Sequence, residues 1–481
     1  MATGEAISDV PVPAVSLERF RELLGARFAE LEEATRTARE LFAGRVIWHA
    51  NSTARGGGVA ELLQSLIAYA RGAGVDVRWV TIAGNERFFE VTKRIHNNLH
   101  GSPGDGGELG DAEREVYEGA LAASAAGLAE RIRPDDIVYL HDPQTAGLTP
   151  LAREEGMNVI WRCHVGVDHP NELARRAWAF LHPYIEDANA YVFSRREFVW
   201  DGLDDSRLWI VPPSIDAFSP KNQDLDPDTV SSILATIGLA ADGGGAPVFR
   251  RQDGSRARVD RRAQLTQDGP VPGDAPVIAQ VSRWDRLKDP VGVLRSYVEH
   301  VRHSSAHLVL AGPSVTDVAD DPEGAEVLAE VEAVRSSLPD EVRASTHLAS
   351  LPMDDVEENA AMVNAIQRRA DVVLQKSLAE GFGLTVAEAM WKARPVVAGR
   401  VGGIQDQIVD GVSGILVDDP ADLPAVAAAI DGLLDDSARA EAIGKAARQR
   451  VLEEFLGSRH LIQYMNLIEG LLREQPADAR L

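Results

Sequence analysis

Eleven short runs rich in valine and isoleucine, in two successive series with helical stretches between them, constrain this chain more than any other feature. RVIWHA (45–50), VDVRWVTI (75–82), DDIVYLH (135–141), MNVIWRCH (157–164), AYVFS (190–194) and LWIVPP (208–213) form the first series. APVIAQVSR (275–283), AHLVLAG (306–312), ADVVLQKS (370–377), RPVVAG (394–399) and SGILV (413–417) form the second. None alternates apolar with polar residues, which is the pattern of strands covered on both faces in a parallel sheet. Helical patterns such as VAELLQSLIAYARGAG (59–74) separate them. At 481 residues the chain exceeds one ordinary core, so two α/β sheets in two domains are expected.

The boundary is expected near VPPSIDAFSPKNQDLD (211–226), whose prolines and polar residues read as a hinge. That gives an N-terminal domain over 1–215 and a C-terminal domain over 216–455. A last segment, 456–481, is expected to return as a helix to the N-terminal domain. The first ~40 residues read as charged and helical, lying against the N-terminal domain, and the helices from about Asp435 to Leu472 as amphipathic outer helices. Residues 241–276, with their glycines, prolines and six arginines, read as a flexible surface insertion.

Net charge narrows the function. The formal charge of -25 disfavours a nucleic-acid partner. A single cysteine, Cys163, rules out an internal disulfide and fits a reducing cytoplasm. The N-terminal residues show neither a basic region nor an apolar one of signal-peptide type, and no run reaches membrane-spanning length. A cytoplasmic protein acting on small molecules is the expectation, with no membrane partner.

In open α/β sheets ligands bind beyond the carboxyl ends of the strands, and the unusual residues of this chain fall there. Gly56, Gly57 and Gly58 follow the first run and lead into a helix, a setting suited to phosphate. They form neither G-x-G-x-x-G nor a P-loop, which disfavours a dinucleotide-dependent oxidoreductase. His141 and Asp142 end one run, and Arg162, Cys163 and His164 the next, so their side chains can converge on sugar hydroxyls. A metal site from His141, Asp142, His164 and His169 lacks a familiar ligand spacing, and no metal is expected. In the second half, Arg283 and Lys288 follow a strand five residues apart and can clamp a diphosphate. EGFGLTVAEAM (380–390) then enters a helix. Its plain reading is an acidic helix start. In company with Arg283 and Lys288, Glu380 can instead hold a sugar while Glu388, about two turns further on, takes the hydroxyls of a ribose.

That combination resembles the retaining glycosyltransferases of GT-B fold, two facing Rossmann-like domains with a cleft between them. Glu380 and Glu388, with seven residues between them, match the E-x7-E motif of that family; Arg283 and Lys288 match its donor-phosphate pair. NSTARGGGVAELL, HDPQTAGL, WRCHVG, VPPSID, EGFGLTVAEAMWK and VGGIQDQIVDG are similar to the trehalose synthases of the glycosyltransferring type. The resemblance implies reversible formation of α,α-trehalose from a nucleoside-diphosphate glucose, ADP-glucose or UDP-glucose, and free glucose. It implies that Arg283 and Lys288 neutralise the departing diphosphate, and that Glu388 binds ribose. Glu380 would hold the donor glucose with the backbone of Gly381, Phe382, Gly383 and Leu384. His164 would contact the donor sugar, Asp142 and His141 the acceptor, and Gly57 and Gly58 would let the backbone approach phosphate. Closure about the 211–226 hinge would exclude water. No cofactor is implied, with Mg as a stimulant at most; the assembly implied is a homodimer, which no stretch of the sequence itself specifies. The alternatives are a retaining trehalose phosphorylase, a related transferase with another small acceptor, and a non-catalytic nucleotide-sugar-binding protein, the last disfavoured because all four charged donor-site residues are present.

Overall fold

A computed structural model describes residues 6–54, 58–315 and 322–474. The chain divides into two units, one of Met1–Ser214 with Gly457–Leu481 and one of Ile215–Leu456.

The first unit holds strands β1 (Ile7–Asp9), β2 (Ile47–Asn51), β3 (Val77–Ile82), β4 (Ile137–His141), β5 (Asn158–Cys163), β6 (Ala190–Phe193) and β7 (Leu208–Ile210). They lie in the order β1-β3-β2-β4-β5-β6-β7. Every pairing is parallel except that of β1 with β3. Each residue of β2, β4, β5 and β6 is buried, as a strand covered on both faces must be. From β2 the chain winds to β3 on one side and then to β4 on the other, so the carboxyl ends of β2 and β4 flank the switch point where crevices form. The start of the chain is not purely helical: Ile7–Asp9 adds an antiparallel edge, and Ile7 enters the core. The last helix, Gly457–Glu474, packs on helices Phe28–Leu41 and Gly58–Gly72 of this unit and buries His460, Tyr464 and Leu467. It completes the core instead of decorating the outside.

The second unit contains a hairpin, β8 (Val248–Arg250) with β9 (Arg256–Arg258), and a seven-stranded sheet. That sheet comprises β10 (Gln264–Thr266), β11 (Val277–Val281), β12 (His307–Pro313), β13 (Thr346–Leu351), β14 (Val372–Gln375), β15 (Val396–Gly399) and β16 (Ile415–Val417), in the order β10-β13-β12-β11-β14-β15-β16. The switch point lies between β11 and β14.

Residues 241–276 are not a flexible insertion. They form the hairpin and then β10, which pairs antiparallel with β13 and becomes the sheet's edge. Two of their arginines find acids that lie about a hundred residues away in sequence. Arg251 reaches Asp355 and, at 2.7 Å, Glu357; Arg261 pairs with Glu358. Asp355 caps helix Val356–Arg369, and Glu357 and Glu358 sit in its first turn. The amides of Asp260 and Arg261 also donate to Glu358, at 2.7 and 2.8 Å. A run of arginine in an acidic chain is thereby matched to an acidic helix start. Strand β13, THLASL, has no β-branched run, yet all six of its residues are buried between β10 and β12. Its His347 lies 2.8 Å from Nδ1 of His307 through Nε2, and its own Nδ1 lies 3.1 Å from Oε1 of Gln267.

Candidate functional site

At the switch point of the first unit, β4 ends in His141, and Asp142 turns the chain with φ of 64°. A left-handed aspartate is costly for an L-residue and marks a position the surroundings hold in place. Its Oδ1 accepts the amide of His164 at 2.8 Å, so the two residues expected to meet do meet. Burial pushes the Asp142 carboxyl up to about 7, opposed by the His164 amide and the charge of Arg162. Near neutrality such a group is suited both to accept a hydrogen bond and to donate one.

His141 behaves differently from the expectation that it contacts an acceptor. It is buried, and both ring nitrogens are engaged: Nε2 lies 2.9 Å from Nδ1 of His49, and Nδ1 lies 3.2 Å from Nε2 of His164. A neutral imidazole has one donor and one acceptor, so His141 spends its whole capacity on two other histidines. Its place is behind His164, as support. Arg162 closes the series, with Nε 3.0 Å from Nε2 of His164 and an Nη donating to the Val211 carbonyl at 2.9 Å. The guanidinium is fully buried and lies over Tyr464 of the last helix. Desolvation, reinforced by Arg162, holds His49 near 3 and keeps His141, His164 and His460 well below the ordinary imidazole range. The histidine series is neutral. His49, Tyr139 and Tyr464, stacked on one another, and His460, edge-on to Tyr464, escaped the sequence reading. Only the polar character of His49 inside a buried strand could have drawn attention to it. Gly57 lies outside the described residues, while Gly58 opens helix Gly58–Gly72. Among the described residues no cluster of three or more His, Cys, Asp or Glu is arranged to hold a metal ion.

At the switch point of the second unit, Lys288 and Glu380 come together as an ion pair between Nζ and Oε2. Ser377 also reaches that oxygen, 3.2 Å away. Arg283 stands in the same loop as Lys288, its guanidinium well exposed and 3.1 Å from Asp285. The frame beneath is buried and polar. Gln280, in the middle of β11, donates to the Lys288 carbonyl at 3.0 Å and accepts the Lys376 amide at 3.2 Å. Lys376, almost fully buried, pairs with Asp289. Asp289 takes a left-handed backbone, φ 47°, and caps helix Pro290–His300 through Gly292. Breaking a buried ion pair by removing one partner strands the other charge, at a cost of about 3–5 kcal/mol, so this frame resists change.

Gly381–Leu384 form a turn whose carbonyl side is tied down. The Gly403 amide donates to Gly381, and the Gln407 side chain donates to the carbonyls of Phe382 and Gly383. The Val386 amide donates to the Gly383 carbonyl at 2.9 Å, so the amides of Leu384 and Thr385 at the start of helix Leu384–Trp391 are the ones suited to meet an anion. Gly383 and Gly402 have φ of 82° and 49°, and a Cβ on Gly402 would lie 1.6 Å from the Glu380 carbonyl oxygen. Because the helix begins at Leu384, Glu388 is one turn inside it, not two. Its carboxylate is buried, 3.7 Å from Nζ of Lys221, and its carbonyl accepts from Lys392. Polar glutamines within the apolar runs VIAQV and VVLQ were the available sign of this frame, and the sequence reading passed over both.

Two doubly wound units, each with polar side chains gathered at its switch point, are the components of the GT-B fold of glycosyltransferases, and the relatives of the chain agree with that class. Residues 49–200 match the family model described as trehalose synthase, N-terminal domain, and residues 262–450 match glycosyl transferases group 1. A trehalose synthase of Rubrobacter xylanophilus is 38% identical over 459 residues, 94% of this chain and 95% of that one. The chain belongs to the trehalose synthase family. A trehalose phosphorylase of Pleurotus pulmonarius stands further off, 27% identical over 91% of this chain and 58% of its own. Among solved structures, the trehalose-6-phosphate protein of E. coli bound with UDP-2-fluoro glucose has a TM-score of 0.64 at 15% identity, covering 90% of this chain and 100% of that one. No described helix is long and apolar enough to cross a membrane.

Proposed function

We propose that this chain is a retaining transferase that joins glucose from a nucleoside-diphosphate glucose, ADP-glucose or UDP-glucose, to free glucose, giving α,α-trehalose reversibly. The observation that carries this reading is the Lys288–Glu380 pair at the switch point of the second unit, with Arg283 in the same loop as Lys288. It puts a cation for a departing diphosphate next to a carboxylate for sugar hydroxyls. The amides at the start of helix Leu384–Trp391 supply further positive potential without protonation chemistry. With that much charge fixed in place, no metal or other cofactor is required, and Mg acts as a stimulant.

In the transition state the bond from the anomeric carbon to the phosphate oxygen stretches and negative charge gathers on the diphosphate. Arg283 and Lys288 are stronger partners for that charge than for the ground state, which is what lowers the barrier. As Lys288 turns to phosphate, Glu380 is released to hold the donor glucose, while Glu388 meets the ribose. Asp142 takes the acceptor hydroxyls and His164 the donor sugar. A neutral His164 suits this role, because it does not repel the cationic character that develops at the anomeric carbon. The incoming hydroxyl attacks on the face from which the phosphate leaves, and its proton passes to a phosphate oxygen, so no protein nucleophile is needed.

The test is to incubate purified protein and trehalose with ADP, with UDP, and with phosphate alone. Nucleotide glucose formed only with a nucleoside diphosphate supports the reading and identifies the base. Glucose 1-phosphate formed from phosphate alone would replace it with phosphorolysis.

A further inference from the structure

Glu380 is held from behind by a one-way series of hydrogen bonds. Thr385 Oγ1 lies 3.1 Å from Gln375 Oε1, Gln375 Nε2 lies 2.9 Å from Ser377 Oγ, and Ser377 Oγ lies 3.2 Å from Glu380 Oε2. Its direction is fixed by chemistry. An amide nitrogen only donates, so Ser377 must accept from Gln375 and keep its single hydrogen for Glu380. An amide oxygen only accepts, so the Thr385 hydroxyl must donate to Gln375. Gln375 and Ser377 are buried, which removes water as a competing partner for either. Both Ser377 and Lys288 fall on Oε2 of Glu380, so its Oε1 is the oxygen these bonds leave for another donor.

We infer that Ser377 and Gln375 are positioning residues: through the Thr385–Gln375–Ser377 series they hold the Glu380 carboxylate so that Oε1 meets a hydroxyl of the donor glucose. The role follows from the life cycle of the Lys288–Glu380 pair. When an anionic substrate draws Lys288 away, the carboxylate loses the cation that oriented it. Ser377 is then the bond that keeps its plane, so the contribution is largest with substrate bound. Thr385 lies in the first turn of helix Leu384–Trp391, which ties the carboxylate to the helix that faces the anion. This inference rests on the reading of Glu380 as a donor-sugar residue.

The experiment uses Ser377→Ala, Gln375→Met, their double variant and Ser377→Thr in the full chain. Each is assayed for trehalose turnover with whichever of ADP, UDP or phosphate the wild type accepts, alongside the Kd of that anion alone. Ser377→Ala is expected to lower kcat/KM about tenfold, the scale of a lost hydrogen bond to a charged group, while the anion's Kd stays within about twofold. Gln375→Met frees the serine hydroxyl to rotate and gives a smaller loss, and it tests the series even where the serine variant fails to fold. The double variant should be no worse than Ser377→Ala, because both residues act through one bond. Ser377→Thr, which keeps the hydroxyl, should recover most of the rate. Wild-type kcat/KM in Ser377→Ala, multiplicative losses in the double variant, or anion affinity falling in step with turnover would each overturn the inference. A wild type that makes no nucleotide glucose would instead overturn the proposed donor, and the ratios among variants would still decide the role of Ser377.

Discussion

Substituting Gly402 with alanine should disable the proposed donor site more than any other single methyl group added to the second unit. Two costs combine there. The backbone at φ 49° is one that an L-residue adopts at a cost of about 1–2 kcal/mol. Separately, the new Cβ would lie 1.6 Å from the Glu380 carbonyl oxygen, where ordinary contact begins at 3.4 Å. The Glu380 backbone must therefore retreat by close to 2 Å. That retreat is opposed by the Gly403–Gly381 hydrogen bond and by the Gln407 side chain, so it will be shared with the whole Gly381–Leu384 turn. A displacement of about 1 Å from productive geometry is worth about a hundredfold in rate, so kcat/KM should fall by at least that factor. Gly254 provides the control. Its φ is 86° and its Cβ would meet nothing within 4 Å, so Gly254→Ala carries the backbone cost without the collision. The assay is steady-state turnover of both variants, with thermal unfolding to establish that each is folded. A folded Gly402→Ala enzyme within threefold of wild type would refute the reasoning, as would an equal loss in Gly254→Ala.

Lys288→Ala should reduce turnover by more than a hundredfold, because it removes both the leaving-group cation and the partner of Glu380; intact turnover in initial-rate assays would remove it from the mechanism. His347 is held near 3 by burial, against about 6.5 in an unfolded chain. Its contribution to stability is therefore complete above pH 6.5 and is lost as pH falls toward 3, about 2 kcal/mol of it between pH 7 and 5. His49, also near 3, adds a loss of the same sign. Asp142, raised to about 7, works the other way, since its native carboxyl takes up a proton as pH falls. His347→Asn should accordingly flatten the fall of the urea-derived unfolding free energy by about 1.2 kcal/mol between pH 6 and 5, and parallel profiles for variant and wild type would contradict it. Arg251→Ala removes the ion pairs with Asp355 and Glu357, all partly exposed, and should cost about 1 kcal/mol by urea unfolding while turnover stays within twofold; an unchanged midpoint would show the pairs contribute nothing.

The parallel strands were legible because burial on both faces favours valine and isoleucine, and β4, β11 and β14 carry that mark. The pairing of Lys288 with Glu380 was legible because both are charged residues in the loops that follow strands β11 and β14. Strand β13 was not legible. Its polar side chains are satisfied across strands, His347 by His307 and Gln267, and such pairing is invisible within a window of sequence. The fate of residues 241–276 was hidden for the same reason, since the acids that order Arg251 and Arg261 lie about a hundred positions downstream. His141 was misread as an acceptor contact because a histidine at a strand end gives no sign that two others have already taken its nitrogens. Gln375 was visible as a polar residue in an apolar strand, but nothing in the sequence said that it and Ser377 would be hydrogen-bonded in series toward Glu380.

The chain leaves the first unit after Ser214 and re-enters it at Gly457. On a ribosome, which releases the chain from its N-terminus, the first unit thus stays unfinished while all of the second is made. The second unit, one uninterrupted stretch, has every strand it needs as soon as Leu456 emerges. The first must wait for helix Gly457–Glu474 to bring Tyr464 and His460 against His49, Tyr139 and Arg162. The part of the protein synthesised first is therefore the last to be completed, and a transcript cut short in its final few dozen codons would release a chain with a finished second unit and an open core in the first.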